Sequence, residues 1–204
     1  NNGPLISLGA AETVARRYYE FRTLSFRGND LWNSSSLYLC YTSGDVRFLD
    51  NVCTNASFRA NDSSNNSKTN LLIQGNHFGG GSVCSFRSAQ EVDILENTII
   101  PGGVAGTSAA ISLGYSNSGF LMQGNTIIGG DCISSQSTKD VIIERNRFKA
   151  GYRAAIFSDN YPERWIIRNN IFHDITGGHT SWPEGRGINI YRNPTLVIAN
   201  NTFH

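Results

Sequence analysis

VIIERNRF, Val141 to Phe148, reads apolar, any, apolar, two mostly polar positions, Asn, any, aromatic. The same eight-residue pattern recurs as LSFRGNDL from Leu24, VRFLDNVC from Val46, LLIQGNHF from Leu71 and VDILENTI from Val92. It continues as FLMQGNTI from Phe120, WIIRNNIF from Trp165 and LVIANNTF from Leu196. Its asparagines are Asn29, Asn51, Asn76, Asn97, Asn125, Asn146, Asn170 and Asn201, spaced 22, 25, 21, 28, 21, 24 and 31 residues apart. A period in this range, varied only by loop length, is the mark of a solenoid. Function is therefore to be sought on stacked faces.

The repeat runs nearly end to end through 204 residues, so one domain spanning 1–204 is expected, with residues 1–23 as a cap or lead-in segment. Within that lead-in, PLISL reads as a short strand and AAETVARRYYEF as a helical turn, cap or outer loop. The last repeat ends at His204 with no cap in view, so the expectation is a longer protein or an end that meets a partner. Charged residues make up 16% and the net charge is +1, without the basic stripe of a nucleic-acid binder. No apolar run approaches the roughly 18 residues of a membrane span. Cys40, Cys53, Cys84 and Cys132 show no close metal-type pairing. Cys53 and Cys84 stand where other repeats place Phe, Ile or Leu, and read as small buried hydrophobes. No metal or cofactor is expected. Several Asn-X-Ser/Thr triplets, such as Asn55-Ala-Ser, fit the glycosylation pattern that an Asn-rich chain also yields by chance.

Between successive Asn patterns lies a second alternating strand: SLYLCY from Ser36, SVCSFR from Ser82, AAISLG from Ala109, AAIFSD from Ala154 and GINIYR from Gly187 are examples. The residues just after each Asn supply a third, shorter strand. Three short strands and three turns per repeat describe a parallel β-helix of about eight coils, all-β, with no helix-period run of useful length.

On these motifs, over roughly residues 20 to 204, the chain resembles the right-handed parallel β-helix proteins of the pectate-lyase-like superfamily. The resemblance implies an internal ladder of stacked asparagines at the tight turn between the second and third strands. The physics agrees: Asn tolerates left-handed backbone angles, and its amide can bond to its copies on neighbouring coils. At about 4.8 Å per coil, eight asparagines span roughly 35 Å.

Period-two alternation assigns the faces. On the Asn strand the outward column is Ser25, Arg47, Leu72, Asp93, Leu121, Ile142, Ile166 and Val197. Its last four members are apolar, which points to a cover: a returning loop, a homo-oligomeric contact or another domain. On the preceding strand the outward column is Tyr38, Arg59, Ser85 with Arg87, Ser112, Ser134, Phe157 with Asp159, and Asn189 with Tyr191. The resemblance makes this face the substrate groove. Small serines between aromatics and arginines suit a shallow cleft for a sugar chain, since rings stack on pyranose faces and guanidinium forks match carboxylate or sulfate. Arg59, Arg87, Phe157, Tyr161, Trp182 and Arg192 are the expected substrate-binding residues.

The loop HDITGGHTSWPEGRG, from His173 to Gly187, enters that face and concentrates functional groups. A lyase would need a base, His179 or Tyr191, to take the proton alpha to a uronate carboxylate, with Arg186, Arg192 or Arg87 stabilising the enolate. A hydrolase would need two opposed carboxylates, for which Asp159 and Glu184 are the best pair. The chain departs from the resemblance in lacking clustered Asp pairs on neighbouring coils and a calcium-type cluster. Two functions stay open. One is an extracellular or cell-surface protein that interacts with acidic polysaccharide, as a binder, lyase or hydrolase. The other is a non-catalytic spike, adhesin or filament module that assembles through the apolar stripe or an open solenoid end.

Overall fold

The computed structural model describes residues 6–8, 19–32, 36–40, 42–61, 69–80, 84–100, 109–115, 117–149, 154–177, 185–192 and 195–204. Among them three parallel sheets of eight strands each wrap a single core. A coil enters the first sheet, turns a corner into the second, passes the ladder Asn into the third, and returns one coil further on. The coil around VIIERNRF shows the plan: Ile133–Gln136 lies in the first sheet, Lys139–Glu144 in the second and Arg147–Lys149 in the third. Every strand pairs with its counterpart one repeat away, as in Val141 beside Phe120 and Trp165. Expected strands fall where the repeats place them, and PLISL supplies Ile6–Leu8 against Leu37–Leu39. Tyr19–Arg27, which takes in the end of the expected cap, is a strand of the second sheet, while residues 9–18 lie outside the described residues.

Alternation builds the core. Val46, Leu71, Val92, Phe120, Val141 and Trp165 stack in register on the inner side of the second sheet, none more than 3% exposed. Each such burial contributes roughly 1.5–3 kcal/mol. Below them aromatic rings stack coil on coil: Phe148 lies 4.9 Å from Phe172, and Phe172 lies 4.8 Å from Phe203. The Trp165 indole satisfies its one donor on the Thr138 carbonyl at 2.9 Å. Cys53, Cys84 and Cys132 are buried within this packing, and burial pushes the Cys53 and Cys132 thiols up to about 12.

The ladder runs unbroken from Asn29 to Asn201. Each Oδ1 accepts the backbone N–H and the Nδ2–H of the Asn one coil before; for Asn76 these come from Asn51 at 2.8 and 3.0 Å. The Nδ2 of Asn76 in turn donates to Asn97 at 2.9 Å and to the Phe48 carbonyl at 2.8 Å. Asn51, Asn76, Asn97, Asn125, Asn146 and Asn170 are at most 2% exposed. The left-handed backbone, however, belongs to the residue just before each ladder Asn: Gly28, Asp50, Gly75, Glu96, Gly124, Arg145, Asn169 and Asn200 all have φ between +53° and +68°. The preceding residue turns the chain, which frees the Asn to work as a hydrogen-bonding bracket.

Candidate functional site

The outward column of the first sheet is confirmed by register: Arg59 pairs with Ser85, Ser85 with Ser112, Ser112 with Ser134, Ser134 with Phe157 and Phe157 with Asn189. Arg59 and Arg87 are exposed, and Ser85, Ser112 and Ser134 are half-buried between the arginines and the aromatic end. From Arg59 to Asn189 the face spans five coil spacings, about 24 Å. Arginine and aromatic ends are thus separated by a track of small hydroxyls.

At the far end the structure gathers several expected residues at the corner between the first and second sheets. Asn160 and Tyr161 both adopt left-handed backbone after the strand Ala154–Asp159, and the N–H of Asn160 is held by Asp159 Oδ1 at 2.7 Å. This tight corner throws the Tyr161 ring outward, where it is 59% exposed. On the next coil Arg192, also left-handed, donates from Nη1 to the Tyr161 hydroxyl at 2.9 Å, and its Cζ lies 5.1 Å from the ring centroid. Beside it Tyr191 is 38% exposed and meets Phe157 edge-on, with centroids 6.2 Å apart. Phe157 points outward by alternation yet is only 8% exposed, so it backs Tyr191 and offers no open ring of its own.

Arg186 opens the last strand of the first sheet, exposed and in register with Ala154. The close return of the chain positions it: a Cβ on neighbouring Gly185 would come 2.2 Å from the Ile175 carbonyl oxygen, a position that only glycine can fill. His179, Trp182 and Glu184 lie outside the described residues. His173, at the head of the same loop, ends a strand of the third sheet. Its Nε2 accepts from Arg147 Nε at 3.2 Å, so its Nδ1 donates to Asp174, 3.1 Å away. The Lys149 ammonium, 3.3 Å from Asp174, holds that carboxyl below its ordinary range. Among the described residues no group of three or more His, Cys, Asp or Glu is placed to hold a metal ion.

Two features escaped the sequence reading. Asn117, 1% exposed, is a bracket at the corner between the first and second sheets: it accepts from the Ala89 N–H at 2.8 Å and donates to the carbonyls of Phe86 and Gly114. Other described coils place Ala89, Thr138 or Pro162 at this offset, so no period reveals it. The other is the setting of the apolar stripe. Ile142 and Ile166 are half-buried and Val197 is 47% exposed at the floor of a groove of about 320 Å³.

Residues 73–204, well over half of the chain, match the family model described as the right-handed beta helix region. No curated protein and no solved structure matches the chain.

Proposed function

Because the chain belongs to the right-handed β-helix family, we propose that it is a glycan-interacting solenoid, working outside the cell or at its surface, whose first-sheet face takes an anionic polysaccharide. The Tyr161–Arg192 corner carries this reading. An exposed phenol ring braced by a guanidinium, with Tyr191 alongside, offers both elements that an acidic sugar needs. The ring covers a pyranose face, and the guanidinium retains donors for a carboxylate or sulfate. The serine track leads from this corner towards Arg87 and Arg59, so a chain lying along the solenoid axis meets cations at both ends.

Bond cleavage makes further demands on the same face. Elimination would use Tyr191 as base with Arg192 or Arg186 at the uronate carboxylate. Hydrolysis would set Asp159 against Glu184. Binding itself is measured by calorimetry with uronate-rich and sulfated oligosaccharides against a neutral set. The expected result is binding of the anionic set, weakened at least about tenfold by Arg192→Ala and by Tyr161→Ala. Equal affinity for neutral chains, or indifference to both substitutions, would overturn the assignment. Ultraviolet absorbance of unsaturated products and reducing-end release on the same oligosaccharides separate lyase, hydrolase and simple binder.

A further inference from the structure

The outer face of the second sheet is a trough with a floor and two rims. The floor is one residue wide, Leu72–Asp93–Leu121–Ile142–Ile166–Val197, each in register with the next. Two residues before each floor position runs a rim with unusual backbone. Glu91, Gly119, Asp140 and Arg164 occupy the same register on four consecutive coils, and all are left-handed, with φ of 55°, 70°, 54° and 53°. A left-handed residue repeated at one place kinks the start of each strand without shifting the register, and three of these four are not glycine. The rim closes on itself where Arg164 Nη2 donates to Asp140 Oδ2 at 2.7 Å. The opposite rim does likewise, with Gln123 Nε2 on Glu144 Oε1 at 3.0 Å and Arg168 Nε on Glu144 Oε2 at 2.6 Å.

The two ends of the trough differ in chemistry. Around Ile142, Ile166 and Val197 the floor is aliphatic. The other end is a groove of about 530 Å³ lined by Asp45, Glu91 and Asp93, with Arg47 as the one cation among the described residues that line it. Asp45 accepts from Asn70 at 3.0 Å, whereas Asp93 stands between Leu72 and Leu121. Whatever lies in the trough should be apolar along one part and basic at one end.

We propose that the trough docks an amphipathic α-helix of a partner polypeptide, its aliphatic stripe on Leu121, Ile142, Ile166 and Val197 and a Lys or Arg against Asp93 and Glu91. Two dimensions select a helix. The rims are four residues apart along a strand, about 13 Å, which suits a helix of roughly 10–12 Å diameter. A single strand, spaced about 4.8 Å from its neighbours, would leave the trough unfilled. Floor residues recur about every 4.8 Å, near the 5.4 Å between helical turns and far from the roughly 6.8 Å between same-side residues of a strand. A second copy of this chain fits poorly, since an apolar floor about 14 Å long and one residue wide falls far short of the roughly 800 Å² per partner that stable dimers bury. Sugars are disfavoured because the floor presents no exposed aromatic ring, Trp165 being fully buried.

The test uses a fluorescent synthetic helix of about 16 residues, with Leu at i, i+3/i+4 spacing and Lys in its first turn, against a scrambled peptide of equal composition. Anisotropy should show saturable binding of the patterned peptide alone. Affinity should fall at least about tenfold with Ile142→Thr/Ile166→Thr, and the Lys-dependent, salt-sensitive part of binding should shrink with Asp93→Asn and vanish with Asp93→Asn/Glu91→Gln. Threonine keeps strand propensity and both sites point outward, and Asp93→Asn gives an independent readout if the double variant misfolds. Absence of saturable binding up to about 1 mM, equal binding of the scrambled peptide, or affinity unchanged by the substitutions would overturn the proposal. So would sedimentation of the wild type as a dimer that the threonine substitutions dissociate.

Discussion

Replacing Asn146 by alanine tests whether the ladder holds the coils together or merely decorates the turn. The Asn146 Oδ1 accepts two hydrogens from Asn125, from its backbone N–H at 2.9 Å and from Nδ2 at 2.9 Å. The Asn146 Nδ2 donates to Met122 O at 2.9 Å, Glu144 O at 3.0 Å and Asn170 Oδ1 at 3.1 Å. Alanine orphans the backbone N–H of Asn125, itself 1% exposed, and one of its Nδ2 hydrogens, while the other stays on the Ile94 carbonyl at 2.8 Å. The Asn170 oxygen keeps the Asn146 backbone N–H at 2.9 Å, so the loss falls mainly on the coil before. At about 1–3 kcal/mol for each orphaned buried donor, the expected cost is roughly 2–6 kcal/mol. That is a large share of the roughly 5–15 kcal/mol that stabilises a typical domain. Solenoids open locally, so native-state hydrogen exchange is the better assay than a single melting curve. The Asn125 amide and the strands around Phe120 and Val141 should exchange at least about 30-fold faster, at 1.36 kcal/mol per decade. Asn70→Ala, at an exposed site, should change stability by no more than about 0.5 kcal/mol. A loss below about 1 kcal/mol for Asn146→Ala, indistinguishable from that control, would refute the view that the ladder carries stability.

Other outcomes follow from the packing and the charges. Phe148→Ala removes a ring stacked 4.9 Å from Phe172 and should cost about 3–5 kcal/mol, read as a lowered thermal midpoint. Cys53, Cys84 and Cys132, whose thiols burial pushes up, should resist alkylation in the native protein and label on denaturation, with peptide mapping to assign each site. Desolvation raises the Asp93 carboxyl above its ordinary range, so folding favours its protonated form and the native protein loses stability as pH rises through that range. Asp93→Asn should therefore raise the urea midpoint at neutral pH, with the gain fading below roughly pH 4, where the wild type is protonated both folded and unfolded.

Legibility tracked repetition. The three strands of each repeat, the inward Val141 and Ile143 and the ladder asparagines recur at fixed offsets, so each coil corroborates the next. The candidate site was legible in its parts: the sequence names Tyr161, Tyr191 and Arg192 singly, and only the fold pairs Tyr161 with Arg192 at a corner. Their partners stand 31 residues apart in the chain and meet because two corners with different loops happen to superpose. Phe157 shows the limit of alternation, which states direction and not cover: the side chain points outward and Tyr191 lies over it. The left-handed rim of Glu91, Gly119, Asp140 and Arg164 was invisible for a related reason, because three of its four residues are not the glycine that normally betrays such backbone.

The sequence by itself determined the scaffold: a period of 21 to 31 residues, a period-two alternation within it and an Asn at one fixed offset admit a three-sheet parallel solenoid and little else. Those signals are local and repeated, and each coil packs only on its neighbours, so nothing distant is needed to read them. Tertiary structure alone decided the surfaces. Which outward residues stay open, which ring rests on which and where two rims bound a trough all depend on how unequal loops and corner angles align from coil to coil. That alignment turned VIIERNRF from a strand with one outward isoleucine into the floor of a groove.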